Sequence, residues 1–295
     1  MRTPEEIYDR ILRAARTEGI HEAWKEYRRS VTDYLIAHAE KGSTLLILGA
    51  GRMGDLDLPK LMTHFGSVTL ADIDREAMEE GLAYWKLSAE GTDPYGNDIL
   101  RIREVDLTGI TREHYIEWIR LILEGYEKHL PGEEFASSLE HYLKRVYQET
   151  FHHDPGLGFC RYDHAAILGV HSQLNNMFAY LWLTLSDLLG NGKEPENDFE
   201  MVTDRIFSLI RSHTGNLTDR ISKAVQDCAS EGAFVGLEME RIGVPGPVDG
   251  AAQAFSGYAA MHIEGEAEIC DPVDLIWDYD PGRNKSYRMR LMLCK

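Results

Sequence analysis

Three glycines and the carboxylates around them are the residues of this chain best suited to chemistry. Residues 44–58 read TLLILGAGRMGDLDL, an apolar run ending in Gly49, Gly51 and Gly54 at the spacing G-x-G-x-x-G. Glycine turns the backbone tightly and admits a ligand where a side chain would collide. After about 20 residues a second apolar run ends in Asp72, where a carboxylate can accept hydrogen bonds from both hydroxyls of a ribose. The pattern predicts an adenosine-containing ligand at the edge of a parallel sheet.

The acidic residues bear on which ligand that is. A nicotinamide dinucleotide sets its pyrophosphate against the first turn of the helix that follows the glycines. Here that turn opens with Asp55 and Asp57, which repel a phosphate at close range. S-adenosylmethionine has no phosphate and presents a sulfonium and an ammonium, which carboxylates suit. Both aspartates also fit the plainer role of stabilising a helix N-terminus. Asp106 closes a third apolar run and is placed to meet an adenine amino group.

These residues need a scaffold, and the hydrophobic rhythm predicts one. Residues 4–41 read as helical, with Thr3 as a cap, Pro4 in the first turn and Glu5 and Glu6 at the positive end. Strands follow at 45–48, 68–71 and 100–105, and helices at 56–65 and 75–89. Residues 111–159 are helical in pattern without a strand, as an insertion or lid over the ligand cleft. Strands return at 162–170 and 233–239, with helices over 177–189 and 199–229 and a polar loop at 191–197. Two late strands, near 267–277 and 287–294, are separated by a turn at 280–282. Alternating strands and helices imply a doubly wound α/β sheet. The expected organisation is one domain over 1–295: a helical extension at 1–43, a cofactor-binding half at 44–110, the insertion at 111–159 and the second half of the sheet at 160–295.

Taken together, these segments resemble the class I S-adenosylmethionine-dependent methyltransferase family. Residues 44–58 are similar to its first motif, LADIDREAM at 70–78 to its second, Val105, Asp106 and Leu107 to its third, and 162–174 to its fourth. The resemblance runs from residue 44 to the C-terminus, leaving out 111–159. The chain has Ile47 where the family often carries an acidic residue two positions before the first glycine. The resemblance implies a Rossmann-like, mostly parallel seven-stranded sheet with an antiparallel C-terminal strand. It also implies S-adenosyl-L-methionine as cofactor, held by Gly49, Ala50, Gly51, Asp55, Asp72, Ile73, Asp106 and Leu107. The activity implied is methyl transfer to a small-molecule or peptide acceptor. An NAD(P)-dependent oxidoreductase is the enzymatic rival, and an inactive cofactor-binding sensor or scaffold the non-enzymatic one.

Methyl transfer needs alignment, exclusion of water and at times a base, but no metal. His171, after the fourth strand, is the candidate base, with packing or capping as its alternative. Glu238 and Glu240 close the fifth strand, where either could bind a substrate amine, although a solvated strand end is the plainer reading. His152, His153 and Asp154 invite a metal, but adjacent imidazoles in extended chain diverge and no second cluster has ligand spacing, so a polar loop is expected and no metal site. Trp118, Tyr126, Tyr142 and Tyr147 occupy helical core positions, with a ligand-facing role open to some of them if the insertion is a lid.

The formal net charge of -18 argues against nucleic acid and anionic membranes as partners. No apolar run is long enough to span a bilayer, there is no apolar signal core, and the four cysteines have no paired spacing. These features lead to the expectation of a cytoplasmic protein with reduced thiols. A homodimer is compatible with the sequence.

Overall fold

The computed structural model describes residues 3–16, 18–88, 99–189 and 197–295. The chain begins with α1 (Pro4–Ala15), α2 (Ile20–Ala23) and α3 (Lys25–Ala37), and enters the sheet at β1 (Thr44–Leu48). Then come α4 (Leu58–His64), β2 (Ser67–Asp72), α5 (Arg75–Trp85) and β3 (Leu100–Glu104). Two long helices, α6 (Arg112–Glu127) and α7 (Gly132–Thr150), precede β4 (Tyr162–Leu168), α8 (Asn176–Leu189) and α9 (Asn197–Cys228). The chain closes with β5 (Ala229–Arg241), α10 (Asp249–Glu264), β6 (Ile269–Asp280) and β7 (Lys285–Cys294).

The seven strands form one sheet in the order β3-β2-β1-β4-β5-β7-β6. The first five are mutually parallel, and β7 runs antiparallel to both β5 and β6. This is the expected doubly wound sheet with an antiparallel final strand. Leu45, Leu46, Ile47 and Leu48 are buried along β1, as a strand covered on both faces requires. At its start, the carboxylate Oδ2 of Asp163 accepts from the Thr44 amide at 2.7 Å and the Thr44 hydroxyl at 2.9 Å, fixing the β1–β4 register.

Several boundaries differ from the pattern reading. The third strand ends at Glu104, so Asp106 lies two residues beyond it. β5 begins earlier and ends later than its apolar stretch, because pairing with β7 carries it through polar residues to Arg241. The helical pattern at 199–229 belongs to a single helix of 32 residues, Asn197–Cys228, and Ala229 already opens β5. The N-terminal helical run is broken at Gly19, whose φ of +66° lies in the left-handed region. Thr3 does cap α1, in a reciprocal box with Glu6. The polar loop expected at 191–197 lies outside the described residues except for Asn197.

The chain divides into two compact units. The helical unit comprises residues 1–17, 108–153 and 173–217, so α1 belongs with α6–α8 and the first part of α9. Its core is built on Trp118, Ile122, Leu139, Leu143, Phe178 and Trp182. Trp118, Tyr142 and Tyr147 are buried in that core, the packing role that helical spacing indicates. A polar lock runs through it: Tyr147 Oη donates to Asn175 Oδ1 at 2.9 Å, and Asn175 Nδ2 donates to Ile210 O at 3.0 Å and Thr214 Oγ1 at 3.1 Å. The sheet unit comprises 18–107, 154–172 and 218–295 and has its own core, with Leu35, Leu45, Leu58, Leu70, Phe234 and Leu291 among its members. No helix among the described residues is long and apolar enough to cross a membrane. All four cysteines are free.

Candidate active site

Parallel strands bring their carboxyl ends to one edge, and in the sheet unit that edge gathers most of the residues the sequence singles out. The glycine turn is hung from β2, since the amides of Gly49 and Ala50 both donate to Ala71 O, at 2.9 and 3.2 Å. The three glycines serve different ends. Gly49 (φ +67°) lies so close to Val170 that a Cβ there would stand 2.3 Å from a valine methyl. Gly51 (φ +48°) has open space, since a Cβ would meet nothing nearer than Gly49 O at 4.0 Å. Gly54 is a packing glycine, whose Cβ would collide with Ile20 and Trp24.

Asp72 joins the turn directly. Its Oδ2 accepts from the Gly51 amide at 2.9 Å and its Oδ1 from the Asp74 amide at 2.9 Å. Burial raises its pKa, while those two amides pull the other way. Each carboxylate oxygen still has a lone pair for a further donor. The next side chain, Ile73, is 54% exposed, an apolar surface without protein cover at the mouth of the turn. Asp74 is spent as the α5 cap, accepting from the Ala77 amide at 2.9 Å.

On the other side of the glycines the two aspartates part company. Asp57 caps α4, its Oδ1 accepting from the Lys60 amide at 3.1 Å. The helix end that would receive a pyrophosphate therefore already holds a carboxylate. Asp55 caps nothing. Burial pushes its pKa up to about 6, against its own backbone hydrogen bond and the nearby Arg28 guanidinium. Arg28 is buried and donates to His21 O at 2.8 Å and Gly54 O at 3.0 Å, fastening the turn to α2 and α3. Beyond β3, Leu107 is buried, and Asp106 is within electrostatic reach of Arg220 on α9.

His171 occupies a different setting from the turn. It has no exposed surface, its Nε2 lies 3.4 Å from Ser222 Oγ, and its ring meets Tyr258 edge-on at 6.0 Å. Burial lowers its pKa to about 4, so the imidazole is neutral at pH 7. Its neighbour Val170 is the residue that meets Gly49. Glu238 is not the solvated strand end that its place in β5 suggested. It is 3% exposed, and Ser172 Oγ donates to its Oε1 at 2.8 Å. Glu240 does stay accessible and pairs with Arg288 at 3.0 Å.

Tyr27 and Arg28, on the helix ahead of β1, and Ser172 and Trp277, from segments far from the glycine motif, join these residues without having been singled out by the sequence pattern. Among the described residues, no group of three or more His, Cys, Asp or Glu side chains is placed to hold a metal ion.

No family model and no curated protein matches this sequence. Solved structures with a similar chain path do exist. An S-adenosylmethionine-dependent methyltransferase from Methanosarcina mazei is 9% identical, covering 89% of this chain and 96% of its own, with a TM-score of 0.46. A second, from Aquifex aeolicus, is 10% identical over 100% of this chain and 99% of its own, with a TM-score of 0.43. A third, from Leishmania major, is 12% identical over 94% and 73%, with a TM-score of 0.41. Likeness at this level gives neither cofactor nor acceptor, which rest on the site itself.

Proposed function

We propose that the sheet unit binds S-adenosyl-L-methionine at the glycine turn and that the protein transfers its methyl group to a small-molecule or peptide acceptor. The observation that carries this reading is the division of labour between Asp57 and Asp55. Asp57 occupies the α4 N-terminus, where a dinucleotide would need its pyrophosphate, and Asp55 leaves a second carboxyl beside the turn. A cation is favoured there and a diphosphate is repelled.

The residues present fit the group. Gly49, Ala50 and Gly51 form the turn under the ligand, and the space over Gly51 is open. Asp72 has lone pairs for the ribose hydroxyls, and Ile73 offers its exposed side chain to the adenine face. Asp106 and Leu107, beyond β3, border the base. We assign Asp55 to the positive end. S-adenosylmethionine, when bound, supplies a methyl group on a sulfonium, so that an acceptor lone pair forms the new bond while the sulfur–methyl electron pair returns to sulfur. The chain's own work is then to hold the acceptor in line, exclude water and take up a proton where the acceptor carries one.

His171 could act on such a proton only through a change that uncovers its ring. A small acceptor accords with the net charge of -18, which disfavours nucleic acid. Calorimetric titration with S-adenosylhomocysteine and, separately, with NAD tests the assignment. Micromolar or tighter binding of the first without the second is expected; binding of NAD alone sinks it. Binding with no turnover across a broad acceptor panel would make the protein a sensor instead.

A further inference from the structure

The most unusual polar group at the carboxyl edge is Glu238. It lies near the end of β5, with one oxygen held by Ser172 and the other, Oε2, buried without any partner. Burial raises its pKa, opposed by the Ser172 hydrogen bond, its own backbone hydrogen bond and, least, the charge of Lys285, which makes no hydrogen bond or ion pair with it. An unpaired buried carboxylate oxygen is unfavourable, and buried charges persist in proteins where something pairs with them.

Aromatic residues lie near it, with Tyr27 and Tyr287 within electrostatic reach of its carboxyl. The Trp277 ring lies 3.0 Å, and Glu238 Oε1 3.5 Å, from the point where a Cβ of Gly169 would stand. Trp277 stacks on Tyr27 at 5.1 Å, meets Trp24 edge-on at 4.8 Å and borders Tyr287 at 6.2 Å. The Lys285 ammonium rests 4.7 Å from the Tyr279 ring and 5.5 Å from that of Tyr287, so this aromatic surface already carries one ammonium. Tyr27, Trp277 and Glu238 are buried, whereas Tyr279, Lys285 and Tyr287 keep partial access to solvent. The glycine turn is close by along the chain: Val170 packs on Gly49, and the preceding Gly169 backs onto Trp277 and Glu238. One peptide separates the two contacts.

We propose that Glu238, walled by Trp277 and Tyr27, is the recognition site for the ammonium group of the methyl acceptor, which makes that acceptor an amine. This rests on the methyl-transfer reading above. An ammonium entering here pairs with Oε2 and lies against ring faces. Oε2 is also the atom to which it can pass one proton, the N–H bond breaking as an O–H bond forms, so that the nitrogen keeps the lone pair a nucleophile needs. An alcohol, thiol or carboxylate acceptor gains nothing from an anionic, aromatic enclosure of this kind.

The test uses the full chain, labelled with nitrogen-15 and saturated with S-adenosylhomocysteine. Phenethylammonium is titrated against its neutral isostere 2-phenylethanol, reading affinity by calorimetry and the Trp277 indole N–H resonance, assigned with Trp277→Phe. The cation is expected to bind at least tenfold more tightly and to shift that resonance. Glu238→Gln should remove the tenfold preference while leaving the affinity for S-adenosylhomocysteine within twofold, which also shows that the variant folds. Equal binding of the cation and the alcohol, no binding of either, or a preference that survives Glu238→Gln overturns the proposal. Failure of the wild-type protein to bind S-adenosylhomocysteine instead sinks the methyl-transfer reading, and the amine titration of the free protein then decides the ammonium site alone.

Discussion

The interior of the helical unit and the carboxyl edge of the sheet unit treat buried polar groups in opposite ways. In the helical unit they are satisfied: Tyr147, Asn175 and Thr214 close one network, and the Trp118 indole donates to Phe178 O at 3.1 Å. Among the described residues, Ser186 Oγ is the one buried side-chain atom of that unit left without a partner. The sheet unit leaves several, including Glu238 Oε2, the Trp277 indole N–H and His171 Nδ1. Buried polar atoms are paired as a rule. The region that pairs nearly all of them is built to hold itself together, and the carboxylate oxygen left over in the other is where we propose that a ligand arrives.

The widest way to break this contrast is to empty the helical core. Leu139→Ala, at a position with no exposed surface, should destabilise the protein by about 3 kcal/mol, read from its urea midpoint. The folded fraction should bind S-adenosylhomocysteine as the parent does. A large loss of affinity in that fraction would join the two roles and end the contrast.

Asp72→Ala works from the other side. It removes the acceptor of the Gly51 amide and, on the proposed reading, of the ribose hydroxyls, so affinity for S-adenosylhomocysteine should fall by roughly 100-fold in calorimetry. Thermal stability should change far less than in Leu139→Ala. An unchanged affinity would remove Asp72 from the site.

The adjacent glycines sharpen the comparison within the turn itself. Gly49→Ala meets both a left-handed φ and the Val170 side chain and should destabilise by about 2 kcal/mol or more. Gly51→Ala meets only the φ penalty, about 1 kcal/mol, yet its methyl group fills the open space and should weaken cofactor binding more than it lowers the melting temperature. If the two variants were interchangeable in both readouts, the space over Gly51 would have no role.

The smallest effect expected is one of pH. Asp55 has a folded pKa of about 6, above its ordinary 3.8, so its contribution to stability is complete below about 3.8 and is lost as pH rises through 6. Binding of a cationic ligand runs the other way, because the carboxylate appears over that same interval. S-adenosylmethionine should therefore bind about five-fold more tightly at pH 7 than at pH 5, and Asp55→Asn should flatten the profile. A flat profile in the parent protein would place Asp55 out of reach of the ligand's charge.

Much of this was written in local pattern. The β1 and β2 runs, the turn glycines and Asp72 lie within one stretch of chain, where period and spacing speak directly. Less legible were features set by partners distant in sequence. Glu238 follows Gly236 and Leu237 in a strand where a carboxylate ordinarily signals solvent, yet it is buried, beside Ser172 and near Trp277 and Tyr27. Those rings stand on β6 and α3, at opposite ends of the chain. The grouping of α1 with α6–α8 was equally silent, because an amphipathic helix shows that it has a buried face but not which face it meets.

Arg28 gives the segment ahead of the first strand a different standing. One guanidinium grips a carbonyl from α2 and another from the glycine turn, while the Trp24 indole reaches across to Tyr279 O at 2.9 Å. Residues 20–37 are thus a keystone and not a preface: grafting a foreign leader onto β1 would release the turn from behind and strip two of the rings that stand over Trp277.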